Sequence, residues 1–251
     1  MAGEAGAGPG DVGEEGTTGY AFWPLFALVV RTPRLEIRLP REDEFGSLLA
    51  VIAAGIHDPA TTPFSVPFTD RSSPERERES AQWWWRQRSE WTAEKWNFTG
   101  AVFVDGQVVG VQDINAERFA SVRSVHTGSW LGLASQGRGI GKEMRQAILH
   151  LAFAGLGAQE AHSGAFFDNA PSLATSRSVG YEPNGEMRAP RRDGVARMLN
   201  LRMDRATWEA RRRTDIEIVG LEGCLEMFIA GAGPGPAPAP APAPGAAPVT
   251  P

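Results

Sequence analysis

The sequence has one cysteine, Cys224, in 251 residues. An intrachain disulfide and a cysteine-based zinc site are therefore excluded, and a reducing, cytoplasmic compartment is expected. The four histidines show no metal-ligand spacing, so no metal is expected. Basic residues (25) are fewer than acidic ones (30), and the resulting net charge of −5 argues against a general nucleic-acid-binding protein.

Long apolar runs are also missing. The apolar segment 20–30 has eleven residues and contains a proline, which is too short for a membrane span. The acidic segment before it lacks the basic start of a signal peptide. We expect the apolar segment to be an arm or strand that packs on the domain or on a partner, for example in a homodimer. A membrane-surface anchor is the weaker alternative.

The composition changes along the chain and predicts five segments. A Gly- and Glu-rich leader (1–19) and an Ala/Pro-rich tail (231–251) lack apolar periodicity, so both are expected to be disordered. The tail would be a stiff spacer or tether. Between them we expect the apolar arm (20–30), one folded domain (31–205) and an extension packed on that domain (206–230).

Hydrophobic periodicity within the domain alternates between strand and helix patterns. Helices are predicted at 45–56, 74–95, 140–151 and 171–179. Strands are predicted at 35–39, 98–104, 108–114, 122–133, 160–167 and 195–203, with a hairpin at Asp105-Gly106. This order predicts an α/β (α+β) domain with a mixed central sheet flanked by helices.

A glycine-rich turn joins the fourth of these strands to the long helix that follows it. Gly137, Gly139 and Gly141 permit a sharp turn and close approach of a ligand to the backbone. Amide groups at the helix start and the helix dipole favour an anion there, and Arg138 and Lys142 add positive charge. The turn is therefore predicted to bind a phosphate-bearing ligand.

The spacing of this turn excludes the two common nucleotide motifs. A dinucleotide fingerprint starting at Gly137 requires glycine where the chain has Lys142. A P-loop requires glycine and a hydroxyl where the chain has Gln136 and Glu143. A glycine turn that only packs a helix on a sheet remains the alternative at this point.

The pattern Q-x-x-G-x-G at 136–141 resembles the pyrophosphate loop of the GNAT N-acyltransferases. Three more motifs agree with this family in the correct order. Residues 31–38 and 128–131 are similar to the R-T-x-R-L-x-[IL]-R and G-Y-W-L phrases of the RimJ/RimL subgroup. Residues 168–172 and 179–181 resemble the N-x-x-S and G-[FY] motifs. The resemblance covers residues 31–204 and implies the GNAT fold, with a splayed strand pair that binds acyl-CoA.

The resemblance implies transfer of an acyl group from coenzyme A to a primary amine in a ternary complex. Acetyl-CoA is the expected donor and succinyl-CoA the alternative. The acceptor is left open between a protein N-terminus, a lysine and a small molecule. The implied donor-binding residues are Leu131, Gly132, Leu133, Gln136, Gly137, Arg138, Gly139, Ile140, Gly141, Lys142 and Asn169. The backbone of residues 131–133 would bind the pantetheine arm and the thioester carbonyl.

The catalytic residues are less well defined by the resemblance. Many relatives have a tyrosine where this chain has Ser176, so the proton donor to the thiolate is left open between Ser176, Ser172 and water. His126 occupies the position of a glutamate that relatives often carry, and an imidazole accepts protons near neutral pH. A purely structural His126 is the alternative, and Asp113 and Glu117 are competing bases.

Two further features carry alternatives. Trp83, Trp84 and Trp85 cannot all face one side of a helix, so at least one is expected at an acceptor groove or subunit interface. The alternating charges at 75–79 are predicted to form a solvated helix face, and the alternative is that their arginines hold an acidic acyl group or acceptor. Loss of the tyrosine also leaves a second functional class open, a GNAT-fold module that binds acyl-CoA or a partner with little turnover.

Overall fold

A computed structural model of the chain describes residues 22–229. The predicted leader, the first two residues of the apolar arm and the Ala/Pro tail lie outside the described residues. Within residues 22–229, no helix is both long and apolar enough to cross a membrane.

Within the described residues, nine strands form one mixed sheet in the order β7-β8-β6-β5-β4-β3-β2-β1-β9. The strands are β1 (Val29–Arg31), β2 (Leu35–Arg38), β3 (Lys95–Val104), β4 (Gln107–Glu117), β5 (Ser124–Leu131), β6 (Glu160–Phe166), β7 (Glu182–Arg191), β8 (Gly194–Asp204) and β9 (Glu217–Val219). Every neighbouring pair is antiparallel except β5 and β6, which are parallel.

Seven α-helices accompany the sheet. They are α1 (Phe45–Ala54), α2 (Glu75–Ser89), α3 (Phe119–Val122), α4 (Ile140–His150), α5 (Ala170–Val179), α6 (Arg205–Arg211) and α7 (Leu225–Phe228). A π-helical turn, Leu151–Gly155, continues α4. Short 3-10 turns lie at Pro24–Ala27, Glu42–Glu44, Phe68–Asp70, Leu133–Ser135 and Glu222–Cys224.

Each face of the sheet has its own core. On one face the predicted apolar stripe of α4 is confirmed, because all five of its members are buried (Ile140, Met144, Ala147, Ile148, Leu151). On the other face α1 and α2 pack through Leu48, Ile52 and Trp84 against Val111. Trp83 and Trp85 stay partly exposed, so the three tryptophans divide between core and surface as helical geometry requires.

Two predicted elements are corrected by the structure. Helix α2 ends at Ser89, before the predicted end at residue 95. Trp96 lies in β3, which begins at Lys95 with alternating buried and less buried positions. The predicted strand 122–133 is shorter, because Arg118 and Arg123 adopt left-handed backbone angles around α3 and a 3-10 turn follows β5. Strands β7 and β9 were not predicted, whereas β1 forms at the end of the segment 20–30 that was expected to be an arm or strand.

Segments on both sides of the predicted domain join the same sheet. Leu25, Leu28 and Val30 are fully buried, and β1 pairs with both β2 and β9. From the C-terminal side, Trp91 Nε1 donates to Met227 O at 2.8 Å, and Trp96 Nε1 donates to Phe228 O at 3.1 Å. The sheet therefore extends past the boundaries at 31 and 205 that composition suggested.

Candidate active site

Strands β5 and β6 separate and open a gap in the sheet. They pair only through Ser124 with Glu160, Val125 with Ala161 and His126 with His162. Beyond these pairs β5 stays on β4 as far as Leu131, and β6 stays on β8 as far as Phe166. The gap therefore widens from His126 toward the glycine-rich turn that follows β5.

The β4–β5 ladder determines which backbone groups face the gap. Gly132 N–H donates to Val109 O at 2.9 Å. Hydrogen-bonded and non-bonded pairs alternate along an antiparallel ladder. The N–H groups of Trp130 and Gly128 therefore also face β4, whereas those of Ser129 and Leu131 point into the gap. Two backbone donors, two residues apart, line one wall of the gap.

This geometry corrects part of the predicted donor set. Gly132 N–H is occupied by Val109, and Leu133 N–H donates to Gly55 O at 3.0 Å. Neither amide is free to donate to a pantetheine or thioester oxygen, as the resemblance had implied. The N–H of Leu131 remains available in the gap, and the N–H of Ser129 is a second available donor that the sequence reasoning missed. The alternation of hydrogen-bonded and non-bonded pairs, followed back along β5 from Gly132, identifies the Ser129 N–H as a donor.

The glycine-rich turn lies at the wide end of the gap. Gly137 and Gly139 have φ angles of +71° and +78°, which glycine adopts without strain. Gly139 caps α4, so the first amides of the helix have no partner within the helix. Arg138 and Lys142 are exposed, and neither forms an ion pair with the described residues. The turn thus presents unpaired N–H groups and two cations.

Gln136 has a different place from the one the motif suggested. Its side-chain amide Nε2 donates to Ile56 O and to Leu131 O, both at 2.9 Å. The side chain joins the end of β5 to the segment that follows α1. Gln136 therefore positions the turn through its side chain, and its backbone N–H is occupied as well, because it donates to Leu133 O at 3.2 Å.

The R-T-x-R segment fastens the first turn of α4. Glu143 is only 3% exposed. It accepts from Thr32 Oγ1 at 2.6 Å and from Arg34 Nε at 2.6 Å, and Arg213 lies 3.6 Å away. Burial alone would raise the pKa of Glu143, but the bonds from Thr32 and Arg34 lower it below its usual value. The carboxylate therefore stays ionised and fixes the turn relative to β2.

Asp113 lies on β4, one strand away from the gap, on the face of the sheet that α1 and α2 cover. It pairs with Gly128 across the β4–β5 ladder, and a Cβ at Gly128 would come within 2.6 Å of Asp113 Oδ1. That oxygen has no hydrogen-bond partner in the described part of the chain. Burial raises the pKa of Asp113 to about 6, although the Gly128 amide and Arg145 act in the opposite direction. A carboxylate with this pKa is a competent base at neutral pH.

The other two proposed bases differ in their surroundings. His126 lies on the same face, has an exposed edge and stacks on His162 with ring centroids 5.2 Å apart. Partial burial, and then the neighbouring His162, lower the pKa of His126, so its ring is neutral at pH 7. Glu117 is bound by Lys95 at 2.9 Å, beyond the last β4–β5 pair. The ion pair with Lys95 lowers the pKa of Glu117, so it is the weaker base.

The serines of α5 lie on the opposite face. Ser176 is fully buried, its hydroxyl donates to Ser172 O at 3.0 Å, and it accepts from Arg145 Nη1. Its proton is already engaged, which corrects the expectation that Ser176 is a ready proton donor. Ser172 is half-buried, and its hydroxyl makes no hydrogen bond within residues 22–229. Asn169 Oδ1 caps α5 by accepting from Ser172 N at 3.2 Å, which leaves its amide NH2 for a ligand.

Comparisons with known proteins agree with this geometry. A family model described as an acetyltransferase (GNAT) domain matches residues 34–182. RimJ from Mycobacterium smegmatis, solved with CoA-disulfide, superposes with a TM-score of 0.60 at 18% identity, over 72% of this chain and 88% of its own. RimL, a ribosomal L7/L12 alpha-N-protein acetyltransferase solved with coenzyme A, gives 0.57 at 18% identity, over 70% and 97%.

A GCN5-related N-acetyltransferase from Brucella melitensis gives a TM-score of 0.59 at 17% identity, over 73% of this chain and 81% of its own. At these identities the likeness shows the fold. The predicted GNAT fold, with a mixed and mostly antiparallel sheet flanked by helices, is confirmed.

Proposed function

Because this chain belongs to the GNAT acetyltransferase family, it is an acyl-CoA-dependent N-acetyltransferase, and we propose how its own residues do this chemistry. The amine attacks the thioester carbonyl of acetyl-CoA directly, with both substrates bound. The observation that carries the proposal is the gap between β5 and β6, which leads from two inward N–H groups to the glycine-rich turn. Cys224 supports direct attack, because burial raises the pKa of this only thiol to about 12.

The donor lies along the gap. Its pyrophosphate binds the backbone of residues 137–142 and the free cations Arg138 and Lys142, because helix N-termini favour anions. The pantetheine arm forms hydrogen bonds with the backbone N–H groups of Ser129 and Leu131 on one side and with the side-chain amide of Asn169 on the other. One of the two strand N–H groups donates a hydrogen bond to the thioester oxygen as that oxygen gains negative charge. Such an interaction is worth about 2.7–4 kcal/mol in comparable sites.

We assign the general base to Asp113 in preference to His126. The carboxylate has an unpartnered oxygen beside Gly128, next to the point where the strands separate. His126 lies at the narrow end of the gap, so its neutral imidazole is the second candidate. Ser172 and water remain as proton donors to the thiolate, since the Ser176 proton is engaged.

The acceptor approaches from the face that carries Asp113. One side of that face is bounded by loop 55–74, which the tip of the β7–β8 hairpin holds in place. Arg191 Nε donates to Thr62 O at 2.7 Å, and Arg192 Nη2 donates to Pro59 O at 2.9 Å. RimL is described as an alpha-N-protein acetyltransferase. We therefore propose a protein N-terminal amine as the first acceptor class, with lysine and small-molecule amines next.

Acetyl-CoA is the proposed donor, and succinyl-CoA is the alternative. The arginines of α2 do not favour the larger acyl group, because Arg76 pairs with Glu77 at 2.7 Å on a helix away from the gap. A single buried cysteine suits the cytoplasm. A homodimer would use the edge strand β7, which is exposed along most of its length, and analytical ultracentrifugation tests it.

The test measures release of free CoA thiol from acetyl-CoA with a peptide that carries a free N-terminus. Release should require the amine, and the N-acetylated peptide should give none. Asp113→Asn should lower kcat by about 10²–10⁴-fold, as loss of a general base does. Glu117→Gln, at a carboxylate held by Lys95, is the matched control and should keep its activity. If the donor bound tightly but no amine gave turnover, the protein would instead be a GNAT-fold module that binds acyl-CoA without catalysing transfer.

A further inference from the structure

Arg145 is a buried cation that has no carboxylate partner at contact distance in the described part of the chain. It lies on α4 and is only 4% exposed. Its Nη1 donates to Ser176 Oγ, and its Nη2 donates to Ser129 Oγ at 3.0 Å. Its Nε has no hydrogen-bond partner within residues 22–229. Both of its partners are neutral hydroxyls.

The guanidinium spans the gap between the separated strands. Ser129 belongs to β5, three residues past the last β5–β6 pair, and Ser176 belongs to α5, which follows β6. Arg145 therefore connects the two walls at the place where the N–H groups of Ser129 and Leu131 face inward. It lies on the α4 face of the sheet, whereas Asp113 and His126 lie on the other.

Burying a cation beside neutral groups is costly unless an anion compensates for it. Burial lowers the pKa of Arg145, whereas Tyr181 and Asp113 raise it from a distance. Tyr181 is itself engaged by Thr127 at 2.8 Å, and Asp113 faces the opposite side of the strand. The site is therefore prepared for negative charge that arrives with the donor.

We propose that Arg145 stabilises the coenzyme A thiolate as it leaves, an inference that rests on the proposed function above. The amine nitrogen bonds to the carbonyl carbon and loses its proton to Asp113. The C–S bond then breaks, and its electron pair goes to sulfur beside the guanidinium. The thiolate is released and takes a proton from solvent. Arg145 thus stabilises the leaving thiolate at the step for which many relatives have a tyrosine.

A carboxylate on the acyl group is the other anion that a buried arginine binds. The acyl chain, however, extends from the sulfur toward the amine, on the face that carries Asp113. Arg145 lies on the α4 face with Ser176. The position therefore favours the sulfur end of the donor.

The pKa of the bound coenzyme A thiol tests this role without turnover. It is measured by the ultraviolet absorbance of the thiolate in the protein–CoA complex, with desulfo-CoA as the control for tyrosine ionisation. The chain itself contributes little signal, because Cys224 is the only cysteine and burial raises its pKa to about 12. Calorimetry of CoA binding and thermal unfolding accompany each variant.

Arg145→Gln should raise the pKa of the bound thiol by about 1–3 units relative to wild type, because a nearby cation lowers a thiol pKa by that amount. Arg145→Lys should restore part of the shift. Ser176→Ala retains the cation and should keep the low thiol pKa. Arg177→Gln, an exposed neighbour on α5, is the matched control and should behave as wild type.

An equal thiol pKa in wild type, Arg145→Gln and Arg145→Lys, with CoA bound by all three, would make Arg145 a structural residue and overturn the proposal. Selective loss of succinyl-CoA binding with an unchanged thiol pKa would overturn it in favour of carboxylate recognition. Failure of wild type to bind CoA would overturn the proposed function itself, and this inference with it.

Discussion

At the residue scale, the proposed chemistry depends on a carboxylate that is buried without being neutralised by a direct partner. Asp113 Oδ1 has no hydrogen-bond partner among residues 22–229, and the missing side chain at Gly128 gives the carboxyl its space. Burial brings the pKa of Asp113 to about 6. An ordinary surface aspartate would be a much weaker base, because efficient proton transfer requires a pKa near the working pH.

The pH dependence of the reaction follows from this pKa. The base acts only when it is deprotonated, so kcat/KM should rise with pH through about 6 and then level off. An acceptor amine of low pKa keeps its own titration out of this range. Asp113→Asn should remove this rise of kcat/KM with pH, along with most of the activity. If the rise persisted in Asp113→Asn and disappeared in His126→Gln, the base would be His126.

At the scale of elements, Glu143 joins α4 to the β1–β2 turn through its hydrogen bonds from Thr32 and Arg34. The contribution of these bonds to stability depends on pH. Glu143→Gln leaves Arg34 and Thr32 without their carboxylate and should lower the free energy of unfolding by about 1–3 kcal/mol at pH 7. The pKa of Glu143 is below its ordinary value of 4.5 in the folded protein. Its contribution is therefore complete above pH 4.5 and is lost as the pH falls through the folded pKa.

Urea unfolding at neutral and acidic pH measures this effect. The difference between wild type and Glu143→Gln should shrink below about pH 4.5. The exposed Glu226→Gln is the matched control and should unfold like wild type at both pH values. If the difference in the free energy of unfolding stayed constant across the pH range, packing and not charge would hold α4 to the β1–β2 turn.

The elements also show what the sequence predicts and what it does not. The stripe of α4 and the turn before it were predictable, because apolar spacing and glycine act locally. The free N–H of Ser129 was not, since it depends on the ladder register between distant strands. Strand β7 was missed because it is exposed on both faces and contains Pro183 and Pro190, so it has no alternating pattern. The contacts of Arg145 join α4, β5 and α5 and have no local signal.

At the scale of the whole molecule, the sheet depends on the C-terminal extension. Phe228 is fully buried, and its ring lies 5.2 Å from that of Trp91 and 4.9 Å from that of Trp96. Strand β9 also covers the outer edge of β1. The segment after β8 therefore completes the fold of residues 22–229.

Two truncations measure this contribution by thermal unfolding. Deleting residues 214–251 removes β9 and α7, and loss of a buried aromatic such as Phe228 alone costs about 3–5 kcal/mol. Each kcal/mol lowers the Tm of a chain of this size by about 2–4 °C, so a large drop is expected. Deleting residues 230–251 should leave both Tm and activity unchanged. Equal Tm values for the two truncations would contradict the role of the extension.

The central claim is that the glycine-rich turn binds the pyrophosphate of an acyl-CoA. Calorimetric titration of acetyl-CoA, succinyl-CoA and CoA into wild type and Gly139→Trp tests it most directly. Gly185→Trp is the matched control, because Gly185 also has a positive φ, +84° against +78° for Gly139, and has open space around it. Wild type and Gly185→Trp should bind, and Gly139→Trp should not. Equal binding by all three proteins, or none by wild type, would contradict the claim.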